Sequence, residues 1–249
     1  MARLPSPTPP IDPNPQAWER LQETFDGWAR EGTAALMKEG HTHLGLTIAS
    51  ELPASGEDTI LDLSCGEGWF TRHLASELVP GGNVIGVDLS PEMISEAQAS
   101  SENPANVRYE VANAEELPFE DGSIDHIVSI ESFYYFPDQV AAGHEMFRVL
   151  KPGGTFFVAM HFFLENPWSH QWRTHLDVSM HCKGSEQYNT LFRACGFIDV
   201  GDQRIREEGD LPEQIDGRWF TSLEQLKNFR EEGALLISGQ RPPEEVQQT

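Results

Sequence analysis

The chain has 249 residues, enough for one large hydrophobic core or two small ones, and one core is the simpler reading. Its 40 acidic side chains against 17 basic ones give a formal charge of −23, so the surface potential is negative over most of the molecule. That argues against nucleic acid as a partner, because such binding relies on Lys and Arg displacing the counterions of a phosphate backbone. Cys65, Cys182 and Cys195 form no CxxC pair, which argues against a disulfide framework or zinc knuckle and implies a reducing compartment. The opening MARLPSPTPP has no apolar export segment. The most apolar run, 156–164, is interrupted by His161 and falls short of the ~18 residues that suggest a membrane span. A cytoplasmic protein with no membrane anchor is the expectation.

In chain order, prolines at 5, 7, 9, 10, 13 and 15 predict a disordered tail over 1–16. Trp18, Leu21, Phe25 and Trp28 recur at helical spacing, and Leu44, Ile48 and Leu52 form a second stripe, so two cap helices are expected over 17–54. Aromatic stripes of this kind read first as core packing and second as a substrate surface. From Thr59 the pattern becomes strand, turn and helix in repetition. Strands are expected at 59–63, 83–87, 107–111 and 124–130, with a fifth at 155–163 that contains His161. Between them lie a helix over 69–78, a helix opened by Ser90 and Pro91 as N-cap and first position, and a helix over 140–150 ended by Pro152-Gly153-Gly154.

The cofactor-sized core thus spans 55–163, and the rhythm then fails over 164–187, which reads as an insertion across the mouth of the sheet. A helix over 188–194, a strand from Phe197, a helix headed by Ser222 with Gln225 three residues on, and a strand over 234–238 complete the sheet within 188–243, before a solvated tail over 244–249. The whole predicts one α/β domain over 17–243: a Rossmann-like, doubly wound, mainly parallel seven-stranded sheet with helices on both faces, an N-terminal helical cap and an insertion after strand five.

The informative segment is Thr59-Ile-Leu-Asp-Leu-Ser-Cys-Gly-Glu-Gly-Trp-Phe, a strand running into a glycine-containing turn that opens a helix. Gly66 and Gly68 let the backbone approach a ligand, and Asp88, at the end of the next strand, is placed to accept hydrogen bonds from ribose hydroxyls. Dinucleotide enzymes share this arrangement but want a third glycine where this chain has Thr71. The turn instead resembles that of class I S-adenosylmethionine-dependent methyltransferases, with Ser64 in place of the first glycine. Val84-Ile-Gly-Val-Asp-Leu-Ser-Pro-Glu-Met, Asn113-Ala-Glu-Glu-Leu-Pro-Phe, Ile124-Asp-His-Ile-Val-Ser and Leu150-Lys-Pro-Gly-Gly-Thr are similar to later segments of that family, in order. The resemblance is closest to the branch that includes quinone-biosynthesis C-methyltransferases.

The resemblance implies S-adenosyl-L-methionine as cofactor and a small-molecule acceptor. Asp62, Ser64, Gly66 and Gly68 would surround its methionine part, Asp88 its ribose, Leu89 and Met93 its adenine face, and Asn113 and Ala114 the adenine edge, with Glu131 close by. Ser64 can serve in place of the first glycine if its φ is negative. Asp62 reads equally as a brace for the turn, since a carboxylate inside an apolar strand must find donors.

On the acceptor side, Glu131, Tyr134, Tyr135 and His161 lie at the carboxyl ends of strands four and five, where open α/β sheets bind ligands, and read equally as packing residues. His41 and His43 are expected between the cap helices, at an entrance or exposed. His170, His175, His181 and Cys182 follow no standard zinc spacing, so no metal is expected. The alternatives are a nicotinamide-dependent oxidoreductase on a similar sheet, opposed by Thr71, and a non-catalytic cofactor-binding sensor or scaffold.

Overall fold

A computed structural model describes residues 16–244 except 175, 177, 208, 216 and 218, together with all side chains in that range but those of 34–37. The expected proline-rich tail, apart from Gln16, and His175 fall outside the described residues, as do 245–249.

Apolar residues at alternating positions build the strands β1 (Thr59–Leu63), β2 (Asn83–Asp88), β3 (Val107–Val111), β4 (Ile124–Ile130), β5 (Leu150–Met160), β6 (Ile198–Ile205) and β7 (Ala234–Gln240). They form one sheet in the order β3-β2-β1-β4-β5-β7-β6, in which β7 alone runs antiparallel to its neighbours. Successive side chains of a strand point to opposite faces, and this splits the core into two layers. Leu61, Leu63, Ile127 and Phe156 pack with Met146 of α5 (Gln139–Val149) and Phe192 of α6 (Ser185–Ala194). Ile60, Val128 and Phe157 pack on the other face with Leu44 and Ile48 of α2 (Thr33–Glu51) and Phe70 of α3 (Trp69–His73). The sheet is therefore covered on both sides, as a largely parallel sheet requires.

Strand order reverses between β1 and β4, and the crevice at their carboxyl ends is where such sheets hold ligands. Over it lies α1 (Gln16–Arg30), docked against α4 (Pro91–Ala99) by a hydrogen bond from Ser90 Oγ to Asp26 and by the Arg30–Glu92 ion pair. Ser90 also caps α4, accepting from the Met93 N–H at 3.1 Å, with Pro91 in the first turn. One serine thus fixes both the start of a helix and the cap above it.

Some boundaries differ from the sequence reading. β5 begins at Leu150 and ends at Met160, because Leu150 pairs with Ile124 and the Gly153–Gly154 stretch pairs with Arg241, so His161 stands one residue beyond the strand. The helix expected at 188 starts at Ser185, where Gln187 accepts the Gly184 N–H. His41 and His43 sit inside α2 and not between helices, since the stretch from Thr33 has no proline before Pro53 and carries its Gly40 and Gly45 within the helix. The Gln225 side chain accepts the Thr221 N–H, whereas Ser222 caps α7 (Leu223–Glu232) as expected. The insertion is tied down: Leu164 N bonds Lys183 O and His181 N bonds Tyr134 O. Among the described residues no helix is long and apolar enough to cross a membrane.

Candidate active site

A crevice of about 1040 Å³, counted to its open mouth, lies where β1, β2 and β4 end beneath α1 and α2. Asp62, Ser64 and Gly66 form one wall of it, Asp88, Leu89 and Met93 the next, and Ala114 and Glu131 complete the set placed there from sequence. Gly68 and Asn113 are not among its lining residues. Gly68 holds φ +80 beneath Tyr109, whose hydroxyl a Cβ there would strike, so this glycine is required by packing. Asn113 Oδ1 accepts the Glu115 N–H at 2.8 Å and shapes the loop that presents Ala114.

The turn after β1 is held by carboxylates. Asp62, 3% exposed, accepts the Thr71 hydroxyl at 2.6 Å, and burial pushes its carboxyl up to about 7 against that hydrogen bond. Asp88 accepts the Gly66 N–H with one oxygen and the Ser90 N–H with the other, both at 2.9 Å. Burial raises its carboxyl, and those amides pull the other way. Ser64 adopts φ +65, not the negative φ at which a serine serves there without strain, because the chain must reverse sharply between the buried end of β1 and the Cys65 amide, which bonds Val87 O.

Glu131 occupies the matching place after β4 and also holds a positive φ, +54. Its Oε1 accepts the His161 backbone N–H at 2.6 Å and pairs with His161 Nδ1 at 2.7 Å, while Oε2 accepts the Tyr134 hydroxyl at 2.9 Å. Burial raises its carboxyl, yet the charges and hydrogen bonds of His161, His41 and Tyr134 outweigh that and hold it below the ordinary range. Tyr134 and His161 are thus packed against Glu131 and do not themselves line the crevice, whereas Tyr135 does. Two non-glycine residues in the left-handed region on facing strand ends mark a place where the fold stores strain.

Sequence reasoning missed Lys38, Glu67, Trp69 and Ser132, which also line the crevice. Trp18, Phe25 and Trp28 line it too, although their stripe read first as core. The helical spacing was visible; which face of α1 would meet an opening was not. Trp18 Nε1 donates to Glu115 Oε2 at 2.9 Å, joining α1 to the loop after β3. Among the described residues no three His, Cys, Asp or Glu side chains converge as a metal site would need.

The chain is similar to known proteins in sequence and in fold. A sequence profile for the methyltransferase domain, type 11, matches residues 61–158. The demethylmenaquinone methyltransferase of Lactococcus lactis is 42% identical over 141 residues, 55% of this chain and 56% of that protein. The 2-methyl-6-phytyl-1,4-hydroquinone methyltransferase of Synechocystis is 29% identical over 166 residues, 58% of this chain and 52% of the relative, so the match spans about half the length of each. Among solved structures, a chain of the complex between the Haloferax volcanii Trm112 methyltransferase activator and a methyltransferase superposes with a TM-score of 0.80. It is 33% identical, over 88% of this chain and 97% of that one. The chain belongs to the class I S-adenosylmethionine-dependent methyltransferases, in the type 11 branch.

Proposed function

We propose that residues 17–243 act as one domain that binds S-adenosylmethionine in this crevice and transfers its methyl group to a small acceptor. The observation that carries the reading is the charge of the lining: Asp62, Glu67, Asp88 and Glu131 face the crevice against Lys38. A ligand with a sulfonium and an ammonium group suits those carboxylates, and the two negative charges of a pyrophosphate do not. The turn points the same way, since the Gly66 amide that a phosphate would need is already given to Asp88.

Asp88 retains acceptor capacity for the two ribose hydroxyls, and Leu89, Met93 and Ala114 offer apolar surface for the adenine. Gly66, over which a Cβ would meet nothing within 4 Å, opens onto the space for the methionine part, beside Ser64 and Asp62. The bound cofactor supplies a methyl group already activated on sulfur. The protein's own task is to orient the acceptor, with α1 and its aromatic side chains keeping water out.

Melting curves with S-adenosylhomocysteine and with NAD test this, because a ligand that binds only the native state raises stability with its concentration. The nucleoside should raise the melting temperature, NAD should not, and Asp88→Ala should remove the rise. A shift with NAD alone would overturn the reading.

A second reading concerns assembly. The likeness to a chain solved with the Trm112 activator favours an activator subunit for this protein also. Co-expression with such an activator, followed by size-exclusion chromatography, should yield a 1:1 complex, and two separate peaks would rule it out.

A further inference from the structure

Acceptor chemistry can be narrowed by asking which lining group is able to take a proton. Glu131 has both oxygens engaged, by His161 and Tyr134. Asp88 holds two backbone amides, Asp62 accepts the Thr71 hydroxyl and stands beside the space proposed for the methionine part rather than the acceptor, and Glu67 is paired with Arg72 at 3.1 Å. Lys38 has donors but no acceptor. His41, one turn along α2 from Lys38, lines the same crevice and carries the only imidazole among the described residues that do so. No described residue is hydrogen-bonded to its ring.

We propose that His41 is the proton acceptor for the hydroxyl of a planar phenol or hydroquinone acceptor. The inference rests on the methyl-transfer reading above and deepens it. The crevice walls fit a flat ring, since Trp18, Phe25, Trp28, Trp69 and Tyr135 all face it. The groups that act on His41 are the carboxylate of Glu131 after β4, His161 after β5, and His43 on α2 itself. Burial brings its ring down to about 4 against the pull of Glu131, so at neutral pH the ring is unprotonated and free to accept.

The balance of the step is simple. The acceptor's O–H bond breaks and its proton joins a ring nitrogen of His41, while the electron pair left on oxygen makes that atom, and the ring carbon ortho to it, nucleophilic. A bond forms from oxygen or from that carbon to the methyl group, and the pair of the broken carbon–sulfur bond stays on sulfur. Methylation at carbon is completed when that carbon's proton leaves to water and His41 returns its own proton to oxygen, which restores the aromatic ring and its hydroxyl. The positive charge that leaves sulfur reappears on the imidazolium, so the field of Glu131 meets one cation before and after.

The test uses the full chain, methylhydroquinone as acceptor probe, and the variants His41→Gln and His41→Ala. S-adenosylhomocysteine should raise the melting temperature of wild type and both variants alike. Methyl transfer should fall by ~100-fold in both variants, and added imidazole should restore part of it in His41→Ala. In wild type bound to S-adenosylhomocysteine and methylhydroquinone, the His41 ring should stay unprotonated, and one ring-nitrogen NMR signal should shift as expected of a nitrogen accepting a hydrogen bond. Failure of wild type to bind the nucleoside would overturn the cofactor reading, and this proposal with it. Nucleoside binding without transfer to the probe would overturn the acceptor class alone. A full rate in His41→Gln would overturn the role of His41.

Discussion

The Thr71 hydroxyl donates a 2.6 Å hydrogen bond to the Asp62 carboxylate, across the turn from β1 into α3. A dinucleotide-binding turn wants glycine at this position so that helix and strand can close together. Here the strand carries a buried acid one residue before its end, and the helix supplies the donor that acid needs.

The pair predicts a pH dependence. Folding raises the Asp62 carboxyl from 3.8 to about 7, so between those values the folded chain binds more protons than the unfolded one. Stability from this group is complete below about pH 4 and is lost as pH rises through about 7. Asp62→Asn removes that loss, so its melting temperature relative to wild type should climb steadily from pH 4 to pH 8. Parallel curves would show that Asp62 does not titrate in this range. Thr71→Val should cost ~1–3 kcal/mol by leaving the acid without its donor, and more at high pH than at low.

Ser64 predicts a gain from a single substitution. Its φ of +65 is costly for any residue with a Cβ. Ser64→Gly should stabilise the chain by ~0.5–1 kcal/mol, after allowing for the greater freedom of glycine in the unfolded state. Differential scanning calorimetry would register this as a rise of about 1–4 °C for a domain of this size. A lower melting temperature would mean that the serine side chain contributes more than its backbone strain removes.

At the other strand end, His161→Ala leaves the Glu131 carboxylate buried without its imidazole hydrogen-bond partner and should cost ~1.5–3 kcal/mol in denaturant unfolding at pH 7. The Glu131 carboxyl lies below its ordinary value when folded, so its stabilising contribution is present above about 4.5 and fades as pH falls. The gap between wild type and His161→Ala should narrow accordingly in acid. Adding Glu131→Gln should recover part of the loss by removing the orphaned charge, and a strictly additive double variant would contradict that account.

Trp18→Phe keeps an aromatic ring over the crevice but removes the donor to Glu115. Calorimetric titration should show S-adenosylhomocysteine binding weakened about fivefold, the loss of ~1 kcal/mol expected of one hydrogen bond, with the melting temperature of the free protein nearly unchanged. Unaltered affinity would mean that α1 is held over the site by its Asp26 and Arg30 contacts to α4 alone.

The order of strands and helices from Thr59 onward, the glycine turn, Asp88 at the end of β2 and the cap at Ser90 were all legible in the sequence. Each depends on interactions between residues close in the chain, and alternation, capping and turn chemistry are local. Tertiary structure alone decided which candidates share a surface. It turned the apolar stripe of α1 toward an opening, brought Lys38 and His41 from α2 over the end of β4, placed Tyr134 and His161 behind Glu131, and forced Ser64 into the left-handed region. Those outcomes depend on which faces of separate elements pack together and on where a reversing chain finds room, and no spacing within a single segment encodes either.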